Sequence, residues 1–405
     1  MLGLVLTAGG ARGAYQAGVL KRLGELPALT DRPSPFPIVV GASAGAINGT
    51  MIAAGSGDFR AATRRLAEVW ADLRVADVFR TDLLTLGIGA ARWLRDLALG
   101  GLIGGGGVHA LLDATPLEAF LTRHLHVDGI ADAIRDGHLF ALAVAATSYH
   151  SGRSFIFIQG RPGHPVWVKS RRVVQPVMLT VSHILASAAI PLVFPPVAIR
   201  SAGTEVYFGD GGLRQVTPLS PAIRLGADKV FAIGVRSQRA AARLSHAELG
   251  PVSVDEVCRI AEPPLAQICG VFLNAIFLDH LDTDLDHLRR MNELIRSYQG
   301  RVEPRPSEAA DGTPEPMRIV EPFALGPSED LALVAERCAH RMPRVLRYVM
   351  DGLGTPDAQS ADLMSYLLFD GSYTRTLIDI GYADASRSID ELEHFIRREA
   401  ATAAA

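Results

Sequence analysis

The segment "VVGASAGAINGTMIAAG" (residues 39–55) places a serine in a Gly-x-Ser-x-Gly pattern between an apolar run and a small-residue helix. In this pattern the chain turns sharply from a strand into a helix, and glycines two residues either side of the serine give the backbone room to pass. Gly41 and Gly45 hold those positions around Ser43. The N-terminus of the following helix favours negative charge near the serine oxygen. The pattern predicts that Ser43 is a nucleophile; a serine that only caps the helix is the alternative.

Apolar strands alternate with helices on both sides of this turn, through the first 240 residues. Strands are predicted at 2–7, 35–41, 204–212 (with a turn at its end) and 229–235, and a hairpin is predicted within 138–160. Helices are predicted at 14–26, 44–55, 58–74, about 88–99 and 218–225. This alternation predicts a three-layer α/β/α fold with a mostly parallel central sheet.

Beyond residue 240 the sequence becomes mostly helical and more charged. Helices are predicted at 273–295, 329–350 and 384–400, with one late strand at 317–323 and a Pro-rich loop at 301–316. We therefore expect an α/β domain over residues 1–240. A mostly helical C-terminal extension over 241–405 is expected to pack on this domain or to cover it.

The composition limits the class of protein. The 405 residues are 48% hydrophobic and 20% charged, which is enough for a large core. The formal net charge is -3, so the chain lacks the excess of positive charge that is typical of nucleic-acid-binding proteins. Three scattered cysteines predict reduced thiols in a cytosol-like compartment, and the 12 histidines show no metal-binding spacing. The sequence thus favours a protein that binds neither nucleic acid nor metal.

Two segments bear on contact with membranes. The apolar run 176–199 is long enough to cross a bilayer, but it contains four prolines and His183, so a buried helix followed by a loop is predicted. No secretion signal is expected, because Met1 is followed at once by "LGLVLT". "KSRR" (169–172) could meet anionic headgroups or form a solvated basic turn. We expect a cytoplasmic protein, with peripheral contact to a membrane surface left open.

A nucleophilic serine needs a base, and the late histidines are poor candidates. All five lie in sequence that predicts helix: His246, His280, His287, His340 and His394. Asp210 follows an apolar strand in "GDGG" (209–212), at the strand end where α/β sheets place their sites. A partly desolvated carboxylate can activate a serine directly. The flanking Gly211 and Gly212 suit such a turn, although an Asp-Gly turn without chemistry is the alternative.

A glycine-rich turn, "AGGARG" (8–13), lies between the first strand and the first helix. Its backbone N–H groups at a helix N-terminus could hold an oxyanion. A phosphate loop is excluded, since the turn has no G-x-G-x-x-G, and Gly13-x-x-x-x-Gly18 is followed by Val19-Leu20 and not by Lys-Ser/Thr. A glycine turn without such a role is the remaining alternative.

The glycine-rich turn, the serine elbow and the Asp-Gly turn follow one another along the chain in that order. Together they resemble the patatin-like phospholipase family over about residues 1–235. "TAGGARGAYQAGVLKRL" (7–23) is similar to the family's oxyanion stretch and "VVGASAGAIN" (39–48) to its nucleophile elbow. "ASAAIPLVFPPV" (186–197) matches its A-S-x-A-x-P block, and Asp210-Gly211-Gly212 matches its D-G-G/A. The family usually begins its glycine run one residue earlier, where this chain has Ala8, and alanine fits there if its φ is negative.

The resemblance implies a Ser43–Asp210 dyad without a catalytic histidine. The amides of Gly9, Gly10 and Ala11 would hold the oxyanion, and Arg12 with Gly13 would shape the loop. The implied substrate is a lipid ester, and neither metal nor organic cofactor is needed. Acyl transfer to another acceptor, or lipid binding without catalysis, are the alternatives. The glycine-rich segment 100–107 could flank a lid or be an ordinary loop.

Overall fold

The structure is a computed structural model. It describes residues 1–80, 112–169, 171–201, 203–215, 217–237, 265–277, 280–298, 307–308, 314–315, 318–341 and 361–397. The helix predicted near 88–99, the glycine-rich segment 100–107, His246 and most of the loop predicted at 301–316 lie outside these residues.

Twelve strands occur in the described residues: β1 (Leu2–Leu6), β2 (Ile38–Ala42), β3 (Ala141–Ser148), β4 (Ser154–Gly160), β5 (Val168–Lys169), β6 (Arg172–Pro176), β7 (Val197–Ser201), β8 (Thr204–Asp210), β9 (Lys229–Ile233), β10 (Ser307–Glu308), β11 (Pro314–Glu315) and β12 (Glu321–Leu325). Ten of them form one sheet with the order β12-β9-β1-β2-β3-β4-β6-β5, while β8 pairs with β3 and β7 with β8. Strands β10 and β11 pair only with each other.

The middle of the large sheet is parallel. Strands β12, β9, β1, β2 and β3 all run in the same direction. Strands β1, β2 and β9 are buried at every residue, because helices cover both faces, and this explains their continuous apolar sequences. The predicted hairpin is the antiparallel β3–β4 pair. The expected mostly parallel sheet is confirmed.

Fourteen α-helices occur in the described residues: α1 (Gly13–Gly24), α2 (Ala44–Ala54), α3 (Phe59–Asp72), α4 (Val75–Val78), α5 (Thr115–His124), α6 (Asp128–Arg135), α7 (Val181–Ala188), α8 (Ser220–Arg224), α9 (Leu265–Phe277), α10 (His280–Tyr298), α11 (Leu331–Arg337), α12 (Ala361–Leu367), α13 (Gly371–Arg387) and α14 (Ile389–Arg397).

Helices cover the sheet on two sides. On one face, α2 lies so close that a Cβ on Gly49 would be 3.1 Å from Val39 Cγ1 and 3.8 Å from Leu142. On the other face, α8 approaches β1, where a Cβ on Gly3 would be 3.2 Å from the Cβ of Ala222. The sheet therefore lies between two helical layers, and the expected three-layer α/β/α architecture is confirmed.

The C-terminal residues pack directly on the first part of the chain. Helix α13 touches α1 backbone to backbone: a Cβ on Gly18 would lie 2.0 Å from Ile378 O, and one on Gly381 would lie 2.2 Å from Tyr15 O. Strand β12 forms an edge of the large sheet. The C-terminal helices are present as expected, although α12 and most of α13 fall outside the helices predicted from sequence. The division at residue 240 stays a prediction.

Two other expectations have a structural answer. The apolar run 176–199 contains the short helix α7 and then an irregular turn before β7, as predicted. Among the described helices, none is both long and apolar enough to span a bilayer. The single helix predicted over 273–295 corresponds to parts of α9 and α10, on either side of residues 278 and 279.

Candidate active site

Ser43 occupies the turn between β2 and α2, in a backbone conformation that most residues avoid. Its φ is 56° and its ψ is -128°. The flanking glycines are required by close approach: a Cβ on Gly41 would lie 2.3 Å from Gly45 O, and one on Gly45 would lie 2.2 Å from Leu6 O. The local sequence thus forms the sharp elbow that the Gly-x-Ser-x-Gly spacing predicts.

The bonds of Ser43 show how the elbow is held. Its main-chain N–H donates to Ser187 Oγ at 3.0 Å, and its carbonyl accepts from the amide of Ala46 at 2.9 Å. Its hydroxyl makes no capping bond to α2, so the described structure lacks the arrangement in which Ser43 merely caps the helix. Ser187 lies on α7 in the A-S-x-A-x-P block, and its contact with the elbow was not predicted from sequence.

Asp210 ends β8 and precedes a 3-10 helix, Gly211–Arg214. Its side chain is fully buried. Oδ1 accepts a hydrogen bond from the Gly212 amide at 2.7 Å, whereas Oδ2 has no hydrogen-bond partner among the described residues. Burial raises the pKa of Asp210 to about 7, and the Ser43 hydroxyl and the Gly212 amide oppose that rise. The carboxylate is therefore poised to exchange a proton near neutral pH.

The sheet brings Ser43 and Asp210 to the same place. Ala42 at the end of β2 pairs with Ala145 of β3, and the next β3 residue pairs with Asp210. The Ser43 hydroxyl is near enough to lower the pKa of the Asp210 carboxyl, yet Asp210 Oδ2 has no hydrogen-bond partner among the described residues. We interpret this as a close pair whose hydrogen bond forms fully when substrate is bound, because catalytic hydrogen bonds are commonly long or poorly aligned before that.

The glycine-rich loop follows β1, beside the elbow that follows β2. Gly9 precedes a 3-10 helix that begins at Gly10 and includes Ala11, and the first amides of such a helix have no partner within it. Gly10 has a φ of 55°, which favours glycine. Ala8 is not among the residues with positive φ, so alanine fits its position without strain.

Arg12 ties this loop to the far end of the chain. The side chain is only 3% exposed. Its Nε donates to Ser365 Oγ at 2.7 Å, its Nη2 donates to Asp362 Oδ1 at 2.9 Å, and its guanidinium lies 4.4 Å from the centre of the Tyr366 ring. The loop approaches α12 so closely that a Cβ on Gly10 would lie 2.4 Å from Tyr366 O. Nothing in the sequence predicted this contact.

A buried polar network joins the loop and the elbow. Asn48 of α2 donates to Gly13 O at 3.0 Å and to Gln16 Oε1 at 2.9 Å. Its own Oδ1 accepts from the Trp70 indole at 2.7 Å. Gln16 donates in turn to Thr7 O at 3.0 Å. The network fixes α1 and α2 relative to each other, and hence fixes the positions of the two turns that precede them.

The remaining glycines of the predicted site lie where the chain is crowded. A Cβ on Gly13, the first residue of α1, would lie 2.7 Å from the Cβ of Ala44. A Cβ on Gly211 would lie 2.1 Å from Ala145 O. Gly212 is buried, and its amide donates the hydrogen bond to Asp210 Oδ1. All three therefore lie against the elements that carry Ser43 and Asp210.

His183 lies on α7, the helix that also carries Ser187. His183 packs on Phe157 with 4.7 Å between ring centres, and its Nδ1 accepts from the Thr180 amide at the start of α7. Burial lowers its pKa to about 4, so it is neutral at pH 7. The four described late histidines lie on helices, as predicted: His280, His287, His340 and His394. No group of three or more potential metal ligands occurs in the residues the structure describes.

An α/β protein with a serine elbow beside a buried carboxylate is the class that this fold and geometry define. A family model for patatin-like phospholipases matches residues 4–223, which is more than half of the chain. The chain belongs to the patatin-like phospholipase family.

Two further comparisons add little. A search of curated proteins found no match. Among solved structures, the chain is similar to VipD from Legionella pneumophila at 15% sequence identity and a TM-score of 0.30, over 93% of this chain and 66% of that one. The chain thus spans slightly less than two thirds of that protein's length.

Proposed function

We propose that this protein hydrolyses lipid esters of the phospholipid or lysophospholipid class through an acyl-enzyme on Ser43. The observation that carries the proposal is the strained elbow serine, with no helix-capping bond, beside a buried carboxylate whose Oδ2 has no partner in the described residues. A serine that served only the turn would not require a desolvated carboxylate nearby, because burying that group costs free energy.

In the first step, Ser43 Oγ attacks the ester carbonyl while Asp210 takes the hydroxyl proton. Amides of Gly9, Gly10 and Ala11 would donate to the oxyanion of the tetrahedral intermediate, where fixed donors lower the barrier most. The intermediate then expels the alcohol, which recovers the proton from Asp210, and leaves the acyl group on Ser43. A pKa of about 7 suits Asp210 to both proton transfers near neutral pH.

In the second step, Asp210 accepts a proton from water, and the resulting hydroxide attacks the acyl-enzyme. Collapse of the second tetrahedral intermediate releases the fatty acid and returns the proton to Ser43. Every proton in this cycle passes between Ser43, Asp210, the alcohol and water. No metal or organic cofactor enters this proposed cycle.

Fatty acid release from phosphatidylcholine and lysophosphatidylcholine tests the proposal. We expect release by the wild type and none above background by Ser43→Ala. The matched control is Ser56→Ala, because Ser56 is also fully buried and its hydroxyl has no hydrogen-bond partner in the described structure. That variant should retain full activity. Undiminished release by Ser43→Ala would refute the proposal.

A further inference from the structure

A cavity of about 640 Å³ lies between strands β4 and β6, the Gly211–Arg214 turn, α8 and α10. Its lining residues include neither Ser43 nor Asp210 nor any residue of the glycine-rich loop. It is therefore a separate feature of the molecule, and the patatin-like chemistry proposed above does not use it.

Positive charge dominates this cavity. Four arginines from three parts of the chain line it: Arg171, Arg172, Arg214 and Arg224. Asp284 is the one carboxylate among the described residues of the lining, and burial raises its pKa, although the Leu219 amide and Arg172 oppose that rise. His287 lies on the same wall. Even with Asp284 ionised, the four guanidinium groups leave a net positive charge in the cavity.

Arg172 of the "KSRR" segment lies at the start of β6 and not on a solvated turn. Arg172 is only partly exposed and donates to Thr217 Oγ1 at 2.7 Å. Burial lowers its pKa, which means that its charge is poorly solvated there. A bound anion would compensate for that desolvation. Exposed Arg171 and Arg214, by contrast, form no ion pair in the described part of the chain.

Two buried donors in the lining lack partners. Ser154 is 2% exposed and Trp167 6% exposed. Neither Ser154 Oγ nor Trp167 Nε1 has a hydrogen-bond partner among the described residues. The guanidinium carbon of Arg224 lies 5.6 Å from the Trp167 ring centre. Because buried polar groups are nearly always satisfied in proteins, two unsatisfied donors beside a basic cavity point to an acceptor that binds there.

We propose that this cavity binds a phosphate ester. Guanidinium groups match phosphate oxygens as two-pronged donors, and phosphate can accept from several sides at once. The cavity is far larger than a phosphate ion. Part of its wall is apolar, formed by Ile223, Leu288 and Met291. These side chains can hold the organic part of the ester while the arginines, Ser154 and Trp167 hold its phosphate.

The source of the phosphate is either a soluble metabolite or a lipid headgroup, and two probes separate them. Calorimetry with glycerol 3-phosphate, with glycerol as the uncharged control, measures soluble binding. Sedimentation with phosphatidylcholine vesicles, with or without a minor fraction of phosphatidic acid, measures headgroup binding. The vesicle assay uses a Ser43→Ala background, which removes the proposed hydrolysis, so the two proposals are tested independently.

The test variants are Arg171→Gln and Arg214→Gln, singly and together. Both side chains are exposed, so neither substitution is expected to unfold the protein. Loss of one charge-assisted contact should weaken binding about tenfold, and the double variant should lose it. Arg64→Gln on α3 is the matched control, since it removes one exposed arginine outside the cavity. Trp167→Phe keeps the ring but removes the N–H, and should also weaken binding.

The outcomes are distinct. Glycerol 3-phosphate binding that falls in the cavity variants and not in Arg64→Gln would identify a soluble phosphate ester. Binding only to vesicles with phosphatidic acid, with the same dependence on Arg171 and Arg214, would identify a headgroup. No binding of either probe by the folded wild type, or equal binding by all variants, would overturn the proposal.

Discussion

The elbow and the glycine-rich loop lie side by side, but different parts of the chain hold them. Gly41 and Gly45 allow the close backbone contacts of the elbow, and the Ser43 amide donates one hydrogen bond to Ser187 Oγ. The loop is held from the opposite end of the sequence, where Asp362 and Ser365 bind Arg12. Those residues lie outside the segment 4–223 that the family model matches.

The residues that take part in the proposed reaction therefore differ from those that position the glycine-rich loop. The turn of the elbow is specified mainly within the serine motif, and its bond to Ser187 is the support from farther along the chain. The loop has its own glycines and the contact of Asn48 with Gly13, but its Arg12 is held by α12. We therefore expect changes at the elbow and at Asp210 to act on the chemical step, and changes in α12 to act more weakly, through the position of the loop.

The largest effect is expected from Asp210→Asn. Asparagine keeps an oxygen that can accept the Gly212 amide but cannot take the Ser43 proton. Loss of a general base lowers kcat by about 10²–10⁴-fold. Steady-state hydrolysis of a lysophospholipid measures this. A variant within a few-fold of the wild type would place the base elsewhere.

The same substitution should stabilise the protein as the pH rises. The carboxyl has a pKa near 3.8 when unfolded and about 7 when folded, so the folded state holds the proton in between. The contribution of Asp210 to the stability of the wild type is therefore expected to fall as the pH rises from 3.8 to about 7. The advantage of Asp210→Asn should grow across that window, by roughly 1.4 kcal/mol for each unit of pKa difference. Urea unfolding at several pH values checks this; a pH-independent difference would contradict the raised pKa.

A smaller effect is expected from Ser187→Ala, which leaves the buried Ser43 amide without its acceptor. An unsatisfied buried donor costs about 1–3 kcal/mol of unfolding free energy, and kcat should fall with it because the elbow shifts. Ser182→Ala on the same helix is the control, as that side chain is partly exposed. Equal stability of the two variants would show that Ser187 does not hold the elbow.

The smallest effect is expected from Asp362→Asn, which weakens one of the bonds that position Arg12. Misplaced oxyanion donors act on the transition state, so we expect kcat to fall about tenfold with KM unchanged. Asp379→Asn, an exposed site on α13, removes the same charge away from the loop. Asp362→Glu, which keeps the carboxylate, should retain more of the activity than Asp362→Asn. A change in KM alone would show that α12 acts on substrate binding instead.

The sequence predicts the elbow, the parallel sheet and the position of Asp210 because each depends on neighbouring residues: an apolar strand, a glycine turn and a helix. It does not predict the Arg12–Asp362 contact, since 350 residues separate the partners and no spacing links them. Ser187 lies between these two cases. The sequence identifies the motif that contains it, but its bond to Ser43 depends on how α7 packs against the elbow. The catalytic roles of these residues remain predictions.

The pH dependence of fluorophosphonate labelling, with the modified residue located by mass spectrometry, tests the proposed dyad most directly. In the wild type, label should attach to Ser43 at a rate that rises with pH through an apparent pKa of about 7, as Asp210 ionises. In Asp210→Asn the rate should be slow and show no such step. Labelling of Ser43 with the same rate and pH profile in both proteins would contradict a Ser43–Asp210 dyad.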